Sequence, residues 1–136
     1  MKSNEKRLQA ARCALAIDIG GSKLTVGFVR DDGTIVAKLR RTWPRIDNAQ
    51  ELVDTVVSTV SDLREEEPQN TIEEIGATVP GLANAERGLW VYAPFSGIEN
   101  IEFAERLEQR LGARLLLDND VNAAAVAERA FGACVN

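Results

Sequence analysis

The sequence has no histidine and only two cysteines among its 136 residues, and these absences exclude several kinds of site. Without imidazole there is no Ser-His or Cys-His nucleophile pair, so proton transfer near neutral pH falls to a carboxylate, a lysine or a tyrosine. Cys13 and Cys134 lie near opposite ends of the chain, without the CxxC spacing of a zinc site. We therefore predict that both are buried thiols.

Excess positive charge and long apolar runs are missing as well. The formal net charge is −5, and an acidic chain lacks the basic field that nucleic-acid binding normally requires. No apolar stretch is long enough for a signal peptide or a membrane span, and residues 1–12 mix basic with polar side chains. We predict a cytoplasmic protein with a solvated N-terminal arm over residues 1–12, and neither nucleic acid nor membrane as a partner.

The remaining residues, 13–136, have the composition of one globular domain, and their apolar pattern predicts an α/β fold. Apolar stretches over 13–19 and 24–29, with alternating apolar residues over 35–39, predict three strands joined by short turns. A helix is predicted over 48–66, capped by Asn48 and Glu51, and a strand follows over 72–79. After an irregular stretch in which 89–92 is extended, a second helix begins at Asn100 and is ended by Gly112. The last predicted elements are a fully apolar strand over 115–117 and a helix from Asp120. Crossover helices between the later strands favour parallel pairing.

The first candidate site is the segment Asp18-Ile19-Gly20-Gly21-Ser22-Lys23, between the first two strands. Strand ends are where open α/β sheets gather ligand-binding residues. Paired glycines allow a tight turn whose N–H groups can approach an anion, and the hydroxyl and ammonium groups that follow add polarity and charge. Asp18 can hold a magnesium ion. The alternative is an ordinary glycine-rich hairpin in which Asp18 only helps to form the turn.

The second candidate site is Asp118-Asn119-Asp120-Val121-Asn122, where an apolar strand gives way to a helix. Two carboxylates and two amides at one junction can orient a polyhydroxylated ligand. One of the carboxylates can accept a proton from a hydroxyl that attacks a phosphoryl group. The alternative is that Asn119 or Asp120 simply caps the helix.

Two further segments carry a turn and a group of aromatic residues. Residues 76–81 end a strand in Pro80-Gly81, where glycine either lets the backbone approach a ligand or only forms a turn. Residues 90–97 hold three of the chain's aromatic side chains, which either wall a pocket or pack in the core.

Together these segments resemble the motifs of the ROK family, which is named for repressors, open reading frames and kinases. Residues 18–23 resemble its phosphate motif, and residues 76–81 resemble its strand ending in Pro-Gly. Residues 92–94 resemble the segment leading toward its sugar pocket, and residues 117–133 resemble its Asn-Asp-x-Asn helix. The order and spacing of the motifs agree across residues 14–133.

The resemblance implies the actin-like ATPase, ribonuclease-H-like fold of sugar kinases, a three-stranded antiparallel meander followed by alternating helices and parallel strands. By position, Asp120 matches the general base, which takes the proton from the sugar hydroxyl attacking the γ-phosphate of ATP. Asn119 matches a sugar-binding amide, and Pro80 with Gly81 lies along the sugar pocket. The implied substrate is a hexose or N-acetylhexosamine, as in glucokinases.

The resemblance also implies ATP and Mg²⁺ as cofactors of the complete two-lobed enzyme. Asp18 matches the carboxylate near the magnesium ion. Gly20, Gly21, Ser22 and Lys23 match the turn that faces the phosphates.

The chain departs from the family pattern chiefly in length. Kinases of the family are much longer, and their second lobe carries a Glu-x-Gly-His segment, a cysteine-rich zinc motif and the adenosine site. A chain with no histidine and two distant cysteines cannot hold these features. We therefore expect only the N-terminal, sugar-facing lobe over residues 13–136, with no zinc site and little kinase activity alone. A homodimer is a further expectation, because an apolar surface left bare by a missing lobe favours self-association.

Three single residues also differ from the family pattern. Phe95 stands where the family often has asparagine after Ala-Pro, Ser22 replaces a commoner threonine, and Asn84 replaces a frequent aspartate. The first difference leaves the choice of sugar open.

Two other functions compete with a kinase lobe. One is a non-catalytic lobe that binds sugar weakly or packs against a partner chain. The other is the effector domain of a ROK repressor, which carries a winged helix-turn-helix domain in front of this lobe. Only about twelve residues precede the first predicted strand, and the chain is acidic, so the repressor is the less favoured interpretation.

Overall fold

The computed structural model describes residues 12–119, apart from the side chain of Asn119. The predicted helix from Asp120, the thiol of Cys134 and nearly all of the predicted arm lie outside these residues. Within them the elements are β1 (Arg12–Ile19), β2 (Lys23–Val29), β3 (Ile35–Thr42), α1 (Ala49–Glu66), β4 (Thr71–Val79), β5 (Leu82–Asn84), β6 (Leu89–Ala93), β7 (Ile98–Ile101), α2 (Phe103–Leu111) and β8 (Arg114–Asn119).

Five strands form the main sheet, in the order β3-β2-β1-β4-β8. The pairs β1–β2 and β2–β3 are antiparallel, which confirms the predicted meander. The pairs β1–β4 and β4–β8 are parallel, as expected for strands joined through crossover connections. The carboxyl ends of β1, β4 and β8 therefore lie at one edge of the sheet.

Helix α1 begins as its sequence predicts. The Asn48 side chain accepts a hydrogen bond from the Glu51 backbone N–H at 2.9 Å, which satisfies one of the free N–H groups of the first turn. The Glu51 carboxylate accepts from the backbone N–H of Asp47 at 2.8 Å, one residue before the cap. The apolar positions of α1 form a buried stripe at Leu52, Val53, Val56, Val60 and Leu63.

The core lies on one face of the main sheet. Leu15, Ile17 and Ile19 of β1 are buried, while the residues that alternate with them are not. The same alternation continues in β4, because successive side chains of a strand point to opposite faces. These buried residues form one apolar cluster with α1 and α2. Within residues 12–119, neither helix is long and apolar enough to cross a bilayer.

Cys13 is buried and forms no disulfide, as predicted for this thiol. Its Sγ donates to the Asn70 side-chain oxygen at 3.3 Å. Burial raises the pKa of the Cys13 thiol, which favours its protonated form.

A second, three-stranded antiparallel sheet, β5-β6-β7, was not predicted. Residues 82–94 were expected to be irregular except for 89–92, and residues 100 and 101 were expected to begin a helix. Strands of three to five residues are too short to show a clear alternation, and their turns dominate the local pattern.

Helix α2 begins at Phe103, later than the predicted start at Asn100, because Ile98–Ile101 form strand β7. Asn100 has a positive φ of 53°, a conformation that asparagine tolerates better than most residues. The predicted end is confirmed. Gly112 has a φ of 74°, and its N–H donates to the Glu108 carbonyl at 2.9 Å.

Strand β8 is longer than predicted and is not buried on both faces. Leu115 and Leu117 are buried, but Leu116 between them is 48% exposed. The predicted strand over 115–117 is confirmed, but its apolar residues do not all lie in the core, because the face of β8 that carries Arg114, Leu116 and Asp118 is not completely covered.

Candidate active site

A row of polar side chains crosses the carboxyl ends of the three parallel strands. Asp18 of β1 pairs in register with Thr78 of β4, and Thr78 pairs in register with Asp118 of β8. Residues paired in this way point to the same face of a sheet. The Thr78 hydroxyl donates to Asp18 Oδ1 at 2.7 Å, and Asp18 is exposed to solvent. The sheet thus presents one oriented, accessible carboxylate at this edge.

The glycine turn follows the last residue of β1, Ile19, and forms a tight hairpin between β1 and β2. The Gly20 N–H donates to the Lys23 carbonyl at 2.8 Å, and neither glycine has a positive φ. A methyl group placed on Gly21 would meet no atom within 4 Å, so the backbone there is open. The hairpin geometry is common to both interpretations of this segment, and its phosphate-binding role stays a prediction.

Lys23 extends its ammonium group toward the neighbouring strand β3. Its Nζ donates to Thr42 Oγ1 at 2.9 Å, and its side chain is exposed. Lys23 and Thr25 share one face of β2, and Thr25 pairs with Asp18, so the ammonium lies on the same sheet face as the carboxylate. Both groups are accessible from one side of the sheet.

The Pro80-Gly81 turn is held against the segment 92–94. Gly81 has a φ of 83°, in the region that favours glycine. A methyl group placed on it would overlap the Tyr92 carbonyl oxygen and lie 2.9 Å from Pro94 Cδ. Two of the segments that the sequence singled out are therefore in direct contact, and only glycine fits between them.

The last candidate residues lie at the end of β8. Asn119 is its final residue, and its backbone pairs in register with Val79, immediately before Pro80. The chain therefore reaches Asn119 at the sheet edge that carries Asp18 and the glycine turn. Asp120 and the Asn119 side chain lie outside the described residues, so their roles stay predictions.

The aromatic residues of segment 90–97 mostly pack rather than wall a pocket. Trp90 is fully buried and its indole Nε1 donates to the Pro80 carbonyl at 2.9 Å. Phe95 is half-buried, and Tyr92 is 39% exposed. Of the residues near the site, the sequence missed Thr78 and Trp43. A hydroxyl two positions before Pro80, at a strand end, was the available signal for Thr78.

The described residues hold no complete metal site, and the magnesium-binding role of Asp18 stays a prediction. No group of three or more acidic or cysteine side chains within residues 12–119 is close enough to hold a metal ion. Magnesium bound with a nucleotide usually keeps several waters and takes one or two carboxylates together with the phosphates. An exposed, hydrogen-bonded Asp18 fits that requirement.

Comparison with known proteins assigns the chain to a family. The model of the ROK family matches residues 14–136, nearly the whole chain. The chain belongs to the ROK family. The glucokinase of Thermotoga maritima is 29% identical over 122 residues, which are 88% of this chain and 37% of that protein. The chain thus spans little more than a third of the length of this ROK relative and corresponds to its N-terminal part.

Solved structures of ROK proteins share this lobe. A ROK family glucokinase from Streptomyces griseus, crystallised with glucose and AMPPNP, superposes with a TM-score of 0.75 at 28% identity, over 88% of this chain and 37% of that one. A ROK family transcriptional regulator, a homolog of the E. coli MLC protein, gives a TM-score of 0.80 at 20% identity, over 89% of this chain and 31% of that one. These similarities confirm the actin-like α/β fold, which kinases and a regulator have in common.

Proposed function

We propose that this chain is the N-terminal, sugar-facing lobe of an ATP-dependent sugar kinase of the hexose or N-acetylhexosamine class. The observation that carries the proposal is the register of β1, β4 and β8. It gathers the glycine turn, the oriented carboxylate of Asp18, the Pro80-Gly81 turn and the end of β8 at one sheet edge. Open α/β sheets bind ligands at such an edge.

The proposed reaction transfers the γ-phosphoryl group of ATP to a sugar hydroxyl. Asp120 would accept the proton of that hydroxyl as it attacks, and Asn119 would hold the sugar beside the Pro80-Gly81 turn. Most of the rate of phosphoryl transfer comes from position and charge stabilisation, so the base acts only on a sugar that is already oriented.

The part of this sheet edge formed by Asp18 and the glycine turn would face the nucleotide. Asp18 would hold magnesium directly or through water, and the open backbone at Gly21 with the Ser22 hydroxyl would face the phosphates. Magnesium, when bound with ATP, offsets the negative charge of the phosphate oxygens. The Thr78 hydroxyl fixes the direction of the Asp18 carboxylate through its 2.7 Å hydrogen bond.

Titration of the 136-residue chain followed by amide NMR tests the proposal. Glucose or N-acetylglucosamine should shift the amide signals of Gly81 and Asn119. ATP with Mg²⁺ should shift those of Gly20 to Lys23. Sugar shifts without nucleotide shifts would favour the non-catalytic sugar-binding lobe instead. If neither ligand moves these signals at saturating concentration, the proposed site is wrong.

The Asp120→Asn variant tests the base in a two-lobed protein that contains this chain. It should abolish turnover and leave sugar affinity nearly unchanged, because the amide keeps the shape of the carboxylate but cannot accept the proton. Substantial turnover by the variant would contradict the assignment of the base.

The alternative function is the effector lobe of a transcriptional repressor, since a ROK transcriptional regulator shares the fold. A salt-dependent shift of duplex DNA in a gel would support that alternative.

A further inference from the structure

The chain has two tryptophans, and each donates its indole N–H to one of the two turns at the candidate site. Trp43 Nε1 donates to the Gly20 carbonyl at 3.1 Å, and its backbone N–H donates to the Ser22 carbonyl at 3.1 Å. Trp90 Nε1 donates to the Pro80 carbonyl at 2.9 Å. The glycine turn and the Pro80-Gly81 turn are therefore both attached to an indole ring.

Phe95 connects the two indoles. Its ring stacks on Trp43 with centroids 5.1 Å apart and planes inclined by 24°. It also contacts Trp90, with centroids 5.9 Å apart and an inclination of 49°. Both separations fall within the range in which aromatic rings attract each other. The three rings Trp43, Phe95 and Trp90 form a continuous row, which we call the aromatic bridge.

The inner end of the aromatic bridge is fixed in the core. Trp90 is fully buried and packs edge-to-face with Phe103 of α2, with ring centroids 5.6 Å apart and ring planes inclined by 85°. Trp43, at the outer end, is only half-buried. Trp43 thus depends on Phe95 for its connection to the buried part of the row.

We propose that the aromatic bridge is a positioning device, in which Phe95 holds the glycine turn and the Pro80-Gly81 turn in one fixed relation. The identity of the ligands at these turns rests on the proposed function, but the mechanical coupling does not. The coupling matters for phosphoryl transfer because small displacements of the reacting groups cost large factors in rate. Phe95 acts through the two indoles and is a positioning residue rather than a catalytic one.

The exchange of the two indole N–H protons with solvent measures this coupling without any ligand. The 136-residue chain gives two indole N–H signals in an NMR spectrum, one from each tryptophan. Phe95→Leu keeps an apolar side chain but removes the ring. We expect it to raise both indole exchange rates on the order of tenfold relative to the backbone amides of β1, because it removes both aromatic contacts.

Two control variants separate positioning from stability. Phe95→Tyr keeps the ring that contacts both indoles, so both indole exchange rates should stay near those of the parent chain. Val60→Ala removes buried methyl groups from α1, which holds none of the three rings. It should change the indole rates and the β1 amide rates by the same factor.

Two outcomes would overturn the proposal. In the first, Phe95→Leu accelerates the exchange of one indole only, which would mean that the turns are held independently. In the second, the exchange rates of both indole N–H protons rise by no larger factor than those of the β1 amides, which would mean that Phe95 contributes only to global stability. Because no sugar or nucleotide is present, neither outcome depends on whether the proposed function is right.

Discussion

Replacing Gly81 by alanine should disturb the turn at the candidate sugar pocket more than a comparable change at another glycine. Two physical costs act at this position. The backbone has a φ of 83°, which a side chain disfavours by about 1 kcal/mol. The added methyl group would also overlap the Tyr92 carbonyl oxygen and press on Pro94 Cδ at 2.9 Å. Overpacking of this kind costs about 1–3 kcal/mol.

The sum predicts that Gly81→Ala lowers the free energy of unfolding by about 2–4 kcal/mol. Gly97→Ala is a matched control, because Gly97 has a φ of 73° but its added methyl group would meet no atom within 4 Å. Gly97→Ala should lower the free energy of unfolding by about 1 kcal/mol, because only the backbone conformation is disfavoured. Gly88→Ala is a second control, because Gly88 has a φ of 63° and its methyl group would overlap Ala104 Cβ, at the other end of the β5–β6 hairpin.

Urea denaturation followed by tryptophan fluorescence measures the three free energies, and sugar titration by NMR measures the effect on the site. Gly81→Ala should remove the glucose-induced shifts, whereas Gly88→Ala should lose stability and keep them. If Gly81→Ala is no more destabilising than Gly97→Ala, the close approach of segment 92–94 to the turn does not exist in solution. If Gly88→Ala removes the shifts equally, the loss reflects stability and not the turn.

Three further predictions follow from other parts of the molecule. The hydrogen bond from Arg110 of α2 holds the pKa of Asp54 in α1 below its ordinary value of 3.8. The pair therefore stabilises the folded protein at neutral pH, and this stabilisation is lost as the pH falls below 3.8 and Asp54 becomes protonated. Arg110→Met should therefore flatten the acid limb of a stability-against-pH curve, and an unchanged slope would contradict the pairing. Val60→Ala should lower the free energy of unfolding, measured by urea denaturation, by about 2 kcal/mol, because Val60 is fully buried. Val57 is only half-buried, so Val57→Ala should lower it by less than about 1 kcal/mol. A coupled assay of the 136-residue chain with glucose, ATP and Mg²⁺ should show little turnover, and robust turnover would refute the expectation that this lobe needs a second one.

The local elements followed from the sequence where a strong periodicity or a specific end signal was present. The apolar stripe and cap of α1, the alternation of β1 and the left-handed end at Gly112 each depend on residues within a few positions of one another. The short strands β5 and β7 lack such a signal because three or four residues do not establish a period. Those strands exist through their pairing with β6, which a local pattern does not encode.

In the candidate site, too, the sequence identified individual segments, and the tertiary structure decided which of them are in contact. The sequence alone identified the segments around Asp18, Pro80 and Asn119, because their residue types and order match a family pattern that extends along most of the chain. Which of them touch was decided by the tertiary structure. The hydrogen bond from Thr78 to Asp18 joins residues 60 positions apart, and it exists because β1 and β4 pair in parallel register.

By itself, then, the sequence determined the family, the types of the longer elements and most of the candidate residues, because each of these depends on a local periodicity or on a motif. Tertiary structure alone decided that Gly81 lies against Tyr92, that Trp43 binds the Gly20 carbonyl, and that Phe95 joins the two indoles. The physical reason is that such contacts are set by strand register and by packing across the core, which bring together residues that share no local pattern.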